Sequence, residues 1–135
     1  MKSLELILEK QEDELWGRVE APGFLYTTSG ETIEEVTSNI KELIADFFAH
    51  EGKAFPEWQG ITIDNIAFDY TYDLTAFFEV FSELKMGAIA SRAGINQTLM
   101  RQYASGHKHP SSQQAKKIEQ AVHQLATTLQ QVHFA

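Results

Sequence analysis

The sequence predicts an α+β chain: a small, antiparallel-rich sheet with one packed helix, followed by an all-helical module. Three observations carry that expectation. Apolar residues alternate with period two near the start and recur at spacings of three and four later, so the pattern passes from strand to helix. Charge divides the same way: residues 1–80 hold 17 Asp/Glu against 5 Lys/Arg, a balance of −12, and residues 81–135 hold 2 against 6, a balance of +4. Together these make the net −8 of the 135-residue chain, and the split points to two modules with different partners. Finally, 43% hydrophobic and 22% charged residues is a globular composition, at a length suited to one ordinary domain or two very small ones.

Leu4, Leu6 and Leu8 alternate with Glu5, Ile7 and Glu9, as in a strand with one buried face. Leu15 to Glu20 reads as a second strand, and the polar KQEDE between them as a hairpin turn. Ala21-Pro22-Gly23 interrupts, and Phe24 to Thr28 resumes as a short third strand. Thr32 with Glu35 is a capping box, and Ile33, Val36, Ile40, Leu43, Ile44 and Phe47 form the stripe of an amphipathic helix that stops near Gly52. Pro56 and Gly60 mark a loop before ITIDNIAFDYTY (61–72), rich in β-branched and aromatic residues as a strand or strand pair would be. The first module therefore spans 1–72 with the order β-β-β-α-β.

From Asp73, a candidate helix cap, the second module (73–135) reads helical throughout. Leu74, Phe77, Phe78 and Phe81 share one face, with further helices over 86–93 and 96–104. A last one follows Pro110-Ser111, with Ser111 and Gln114 as its capping box. Its stripe is Ala115, Ile118, Ala121, Val122, Leu125, Leu129 and Val132, long enough to cover the helical core and also to supply a dimer seam.

The stretch IASRAGINQTLMRQYASGHKHPSS (89–112) has the spacing of a helix-turn-helix. Ala90 is the small residue where two steep helices touch, and Gly94 tolerates the positive φ of the tight turn. Ile89, Ala93, Ile95, Met100 and Tyr103 face inward, and Asn96 caps the second helix. Gln97, Thr98, Arg101, Gln102 and Ser105 then face outward. Gln suits the N6 and N7 edge of adenine, Arg the O6 and N7 edge of guanine, and Thr offers hydroxyl or methyl. His107, Lys108 and Ser111, with the free backbone donors of the following helix, suit phosphates. A helical hairpin that only packs or dimerises is the plainer reading of the same spacing.

This segment resembles the helix-turn-helix of the Cro/C1, or xenobiotic-response-element, repressors over about residues 74–132, and GHKHPS is similar to the Gly-x-x-x-Pro-Ser that follows the recognition helix there. The resemblance places Gln97, Thr98, Arg101 and Gln102 at the major groove. The first module resembles the HicB antitoxin domain through Pro22, Gly23, Gly30, Thr32, Glu34 and Glu35, with Glu31 in place of the usual Asp and Val36 in place of the usual small residue. These two resemblances imply a partial RNase H-like fold and a type II antitoxin that neutralises a small basic, mRNA-cleaving HicA-like toxin. They also imply repression of its own operon through operator DNA. An acidic module complements a basic partner, though acidity also serves solubility. The alternative is a stand-alone repressor whose first module binds a small ligand or oligomerises. A homodimer or higher oligomer is expected, because paired recognition helices must reach grooves about 34 Å apart; either the last helix or the sheet edge can supply the contact.

Several chemistries are not expected. With no cysteine there is neither disulfide nor thiolate chemistry. Asp64, Asp69 and Asp73 raise a two-metal nuclease, but Asp64 and Asp69 differ by an odd number and fall on opposite faces of a regular strand. His107 and His109 have no neighbouring carboxylate to complete a metal site, and His50 is placed to cap the acidic helix. No catalytic residue, metal or cofactor is therefore assigned. No apolar run is long enough to span a bilayer, and MKSLELILEKQ lacks the apolar core of a signal peptide, so a cytoplasmic protein without a membrane partner is expected.

Overall fold

A computed structural model describes all residues, 1–135. The chain is α+β and divides into two compact units, Met1–Val80 and Phe81–Ala135.

The first unit contains strands β1 (Lys2–Gln11), β2 (Glu14–Ala21) and β3 (Phe24–Gly30), helix α1 (Ile33–His50), strand β4 (Ile66–Tyr72) and helix α2 (Leu74–Val80). The sheet order is β3-β2-β1-β4. The two hairpin pairs are antiparallel, but β4 lies parallel to β1, with Leu4 opposite Phe68 and Leu8 opposite Tyr72. The sheet is thus mixed, and 61–72 yields one strand preceded by a short 3-10 turn (Ile63–Asn65). The parallel pairing follows from α1 acting as the crossover that returns the chain to the opposite edge.

Helix α1 begins where the sequence places it. Thr32 Oγ1 accepts from Glu35 N–H at 3.1 Å, while the Glu35 carboxylate takes the N–H of Glu31 at 3.2 Å, one residue before the cap itself. At the far end His50 Nδ1 lies 3.0 Å from the Asp46 carbonyl oxygen and 3.2 Å from its carboxylate. Val36, Ile40, Ile44 and Phe47 are buried against Leu4, Leu6, Leu8, Leu15, Val19 and Phe24. Each such side chain contributes about 1.5–3 kcal/mol by leaving water.

Two features of this core lie outside the strand and helix patterns. Trp58, in a 3-10 turn (Pro56–Trp58), is buried and donates its indole N–H to the Pro22 carbonyl at 2.7 Å. It stacks on Phe24 and sits beneath the Lys2 ammonium at 4.7 Å, so the loop segment closes one end of the core. Helix α2 belongs with the sheet, although the sequence groups it with the helical module. Asp73 caps it, accepting from Ala76 N–H at 2.7 Å, and Ala76 and Val80 join the first unit's core. The apolar face read as Leu74, Phe77, Phe78 and Phe81 is only half-buried.

The second unit contains α3 (Met86–Ala93), α4 (Gln97–Ser105) and α5 (Ser112–Gln130). Ile89, Ala90, Ile95, Met100, Tyr103, Ile118 and Ala121 are buried in it. Ala93, Val122 and Leu125 are half-buried. The rest of the stripe on α5 is solvent-facing: Leu129 is 58% and Val132 46% exposed, and Ala115 is exposed as well. No helix is long and apolar enough to cross a membrane.

Candidate nucleic-acid interface

The geometry of the second unit is set at two glycines and two caps. Gly94 has φ +70°, a left-handed conformation that an L side chain rarely adopts, and its N–H reaches the carbonyls of Ala90 and Ser91. Ile95 N–H bonds the Ala90 carbonyl at 2.9 Å, which turns the chain sharply and drops Ile95 into the core. Asn96 then opens α4: its side-chain oxygen accepts from Thr98 N–H at 2.8 Å and Leu99 N–H at 3.2 Å. Ala90, fully buried, carries no side chain beyond Cβ to hold α3 away from its neighbours. Gly106, with φ +82°, ends α4 in the same way that Gly94 ends α3.

The outer residues of α4 divide into two groups. Thr98 and Arg101 are exposed and adjacent, with Arg101 Nη2 3.5 Å from Thr98 Oγ1. Gln97 is also exposed, but its amide rests over Gly87 at the start of α3, about where a Cβ on that glycine would make contact. Gln102 is half-buried, so it offers less surface than the outward spacing predicts. Ser105 is drawn into a local network. Its hydroxyl lies 3.2 Å from the Gln102 carbonyl and 2.7 Å from His107 Nδ1.

That network shapes the segment after α4. The Gln102 carbonyl also accepts from Lys108 N–H at 3.2 Å, which pins the loop back on its own helix. His107, Lys108 and His109 are exposed. Ser111 Oγ accepts from Gln114 N–H at 3.2 Å and so caps α5, leaving its own proton free to donate outward. The sequence reading passed over Arg92, Lys116 and Lys117, which are exposed and lie on the last turn of α3 and the first turns of α5. Only their charge marked them; their relation to the turn depends on the fold.

The carboxylates considered for metal chemistry are dispersed in role. Asp64 sits in the 3-10 turn before β4, Asp69 within β4 and exposed, and Asp73 on the α2 cap. In the first unit the acidic field reaches two tyrosines. Burial and then Glu51 and Asp46 push the Tyr26 phenol above its ordinary value, and burial, Tyr70 and Glu34 do the same for Tyr72.

No family model, curated protein or solved structure matches this chain. The chemistry available is therefore that of the side chains themselves. A short helix presents an Arg and a Thr, flanked by a loop carrying Lys and His and by the free N–H groups of a capped helix. Such a surface offers many donors and few acceptors, and it suits an anionic, acceptor-rich ligand.

Proposed function

We propose that this chain is the antitoxin of a type II toxin–antitoxin system. Its first unit binds and neutralises a small, basic, mRNA-cleaving HicA-like toxin, and its second unit is a helix-turn-helix that represses the operon by binding operator DNA. One observation supports the DNA half above others: the left-handed Gly94 and the Asn96 cap hold α4 with Thr98 and Arg101 exposed, in a unit of charge +4. Arg and Thr on such a helix suit base edges, and Lys108, His107 and the α5 N-terminus suit the flanking phosphates. The toxin half rests on the resemblance of residues 22–36 to HicB and on the −12 balance of residues 1–80.

A mobility-shift assay on the DNA upstream of the gene, with and without co-purified partners, tests both halves. The expected result is a specific shift and co-purification of a basic protein of under about 100 residues. A specific shift with no such partner in the native host, and no adjacent gene for one, leaves a stand-alone repressor and removes the antitoxin half. No shift on upstream DNA removes the repressor half.

A further inference from the structure

The first unit has two layers, a sheet and a helix, and no third layer on the far side of the sheet. Helix α1 covers one face of the sheet, where Leu4, Leu6, Leu8, Leu15 and Val19 are buried. The opposite face has no cover. On it Ile7 lies beside Arg18 and Thr71, and Trp16 lies beside Glu9 and Ser29. Ile7 and Trp16 are half-buried by their strand neighbours, while Leu25, in register with Glu20, is 58% exposed. Tryptophan and leucine set in an uncovered sheet are an unmet opportunity for burial, and tryptophan is the residue most enriched among energetic anchors of interfaces.

The charges on that face are also unbalanced. Glu5 stands directly opposite Asp69 in the β1–β4 ladder, and both are exposed. Like charges side by side on neighbouring strands repel each other. Glu5 accepts a hydrogen bond from Thr71 at 2.8 Å, which orients its carboxylate without neutralising it. Arg18, the one cation of the face, approaches Glu9 at 3.5 Å, so Glu5, Glu20 and Asp69 keep their charge uncompensated. A nucleic acid laid here would meet repulsion, whereas a cationic protein surface would relieve it.

We propose that the uncovered face of the β3-β2-β1-β4 sheet is the docking surface for a basic protein, with Trp16 and Leu25 as apolar anchors and Glu5, Glu20 and Asp69 as the acidic rim. This rests on the reading that the first unit neutralises a basic toxin, and it assigns the contact to the sheet rather than to the solvent side of α1. That other side is also acidic, and its exposed large apolar residues are Leu43, at the edge of exposure, and Tyr70, whose hydroxyl is already engaged by Thr37 of α1 at 3.0 Å.

The test uses the full chain and the basic protein encoded beside its gene, purified separately and titrated by calorimetry. Trp16→Ala and the paired reversal Glu20→Arg with Asp69→Lys should each weaken binding by about tenfold or more, whereas Glu42→Arg on α1 should change it by less than about twofold. Each variant is also scored by urea titration of the fluorescence of Trp58, buried in the first unit's core, which reports intact folding of that unit, and for operator binding, which the sheet face does not serve. If the parent binds the partner and both sheet variants bind equally well, the docking surface is overturned and the antitoxin reading stands. If Glu42→Arg alone abolishes binding, α1 is the contact and the sheet proposal fails. If the parent does not bind the adjacent-gene protein, both the surface and the toxin reading fall together.

Discussion

Glu12 and Gly94 are held in the same backbone region by opposite choices of residue. Gly94 has φ +70° with no atom within 4 Å of where a Cβ would sit, so its replacement is limited by backbone strain alone. Glu12, at φ +56° in the first hairpin turn, carries a side chain through that strain. Left-handed backbone costs an L residue about 1–2 kcal/mol, so Gly94→Ala should lose about that much and Glu12→Gly should gain up to about 1 kcal/mol. Both tryptophans lie in the first unit. Their fluorescence in urea therefore reads the Glu12 variant, and far-ultraviolet circular dichroism reads the Gly94 variant. A neutral Gly94→Ala would show that the left-handed turn is not what holds α4 in place. On DNA the effects of Arg101 and Lys108, both exposed, should separate. Arg101→Ala is expected to cost about 1–3 kcal/mol and relax one base position, while Lys108→Ala weakens all sequences alike. If both variants bind operator like the parent, α4 is not in the groove. Local chemistry of this kind was legible in the sequence: the Thr32, Asn96 and Ser111 caps all accept the backbone donors that their spacing predicts. Trp58 was not, because the carbonyl that receives its N–H is 36 residues away.

At the scale of elements, α1 approaches β2 closely at Gly17. A Cβ on Gly17 would collide with Val36 and press Leu6, so the glycine is what lets helix and sheet approach. Gly17→Ala should destabilise the first unit by about 1–3 kcal/mol through overpacking. Adding Val36→Ala should recover part of that loss, since the two changes share one contact. Urea titration by tryptophan fluorescence of the parent, both single variants and the double variant measures the coupling, and strict additivity would show that the sheet yields instead of the helix. The first strands and α1 were legible as periodicities and β4 as a β-branched and aromatic stretch, one strand or a pair, yet the partners of β4 and α2 were not legible. Period-two alternation states which side of a strand is buried and is silent about which strand lies beside it. The residues around α2 read as one apolar face because Leu74, Phe77, Phe78 and, just past the helix, Phe81 recur there, but Ala76, small and unremarked, is the one residue of α2 fully buried. Close packing selected the side chain that fits over β1 rather than the most hydrophobic one.

For the whole molecule, the governing quantity is the separation of charge. The −12 of residues 1–80 coincides with one compact unit and the +4 of residues 81–135 with the other, so the acidic average hides a cationic module. That separation gives the DNA reading a quantitative consequence. Neutralising each phosphate on duplex DNA releases counterions, and log K falls against log salt with a slope of about −0.9 per phosphate contacted. Lys108 alone sets a slope of about −1 per subunit, and all five Lys/Arg of the second unit other than the base-reading Arg101 a slope of about −4.5. Binding to upstream DNA measured between roughly 50 and 200 mM salt should fall inside those limits, doubled if two subunits engage one site. Lys108→Ala should flatten the slope by about one. The acidic unit works against this attraction at low salt and is screened beyond roughly a Debye length, about 10 Å at 0.1 M. A chain truncated to residues 81–135 should consequently bind DNA more tightly than the full chain at low salt and converge with it as salt rises. Equal affinity at every salt concentration would mean that the acidic unit exerts no field on the bound DNA. A slope shallower than about −1 per subunit would remove the phosphate-tracking role from the loop after α4.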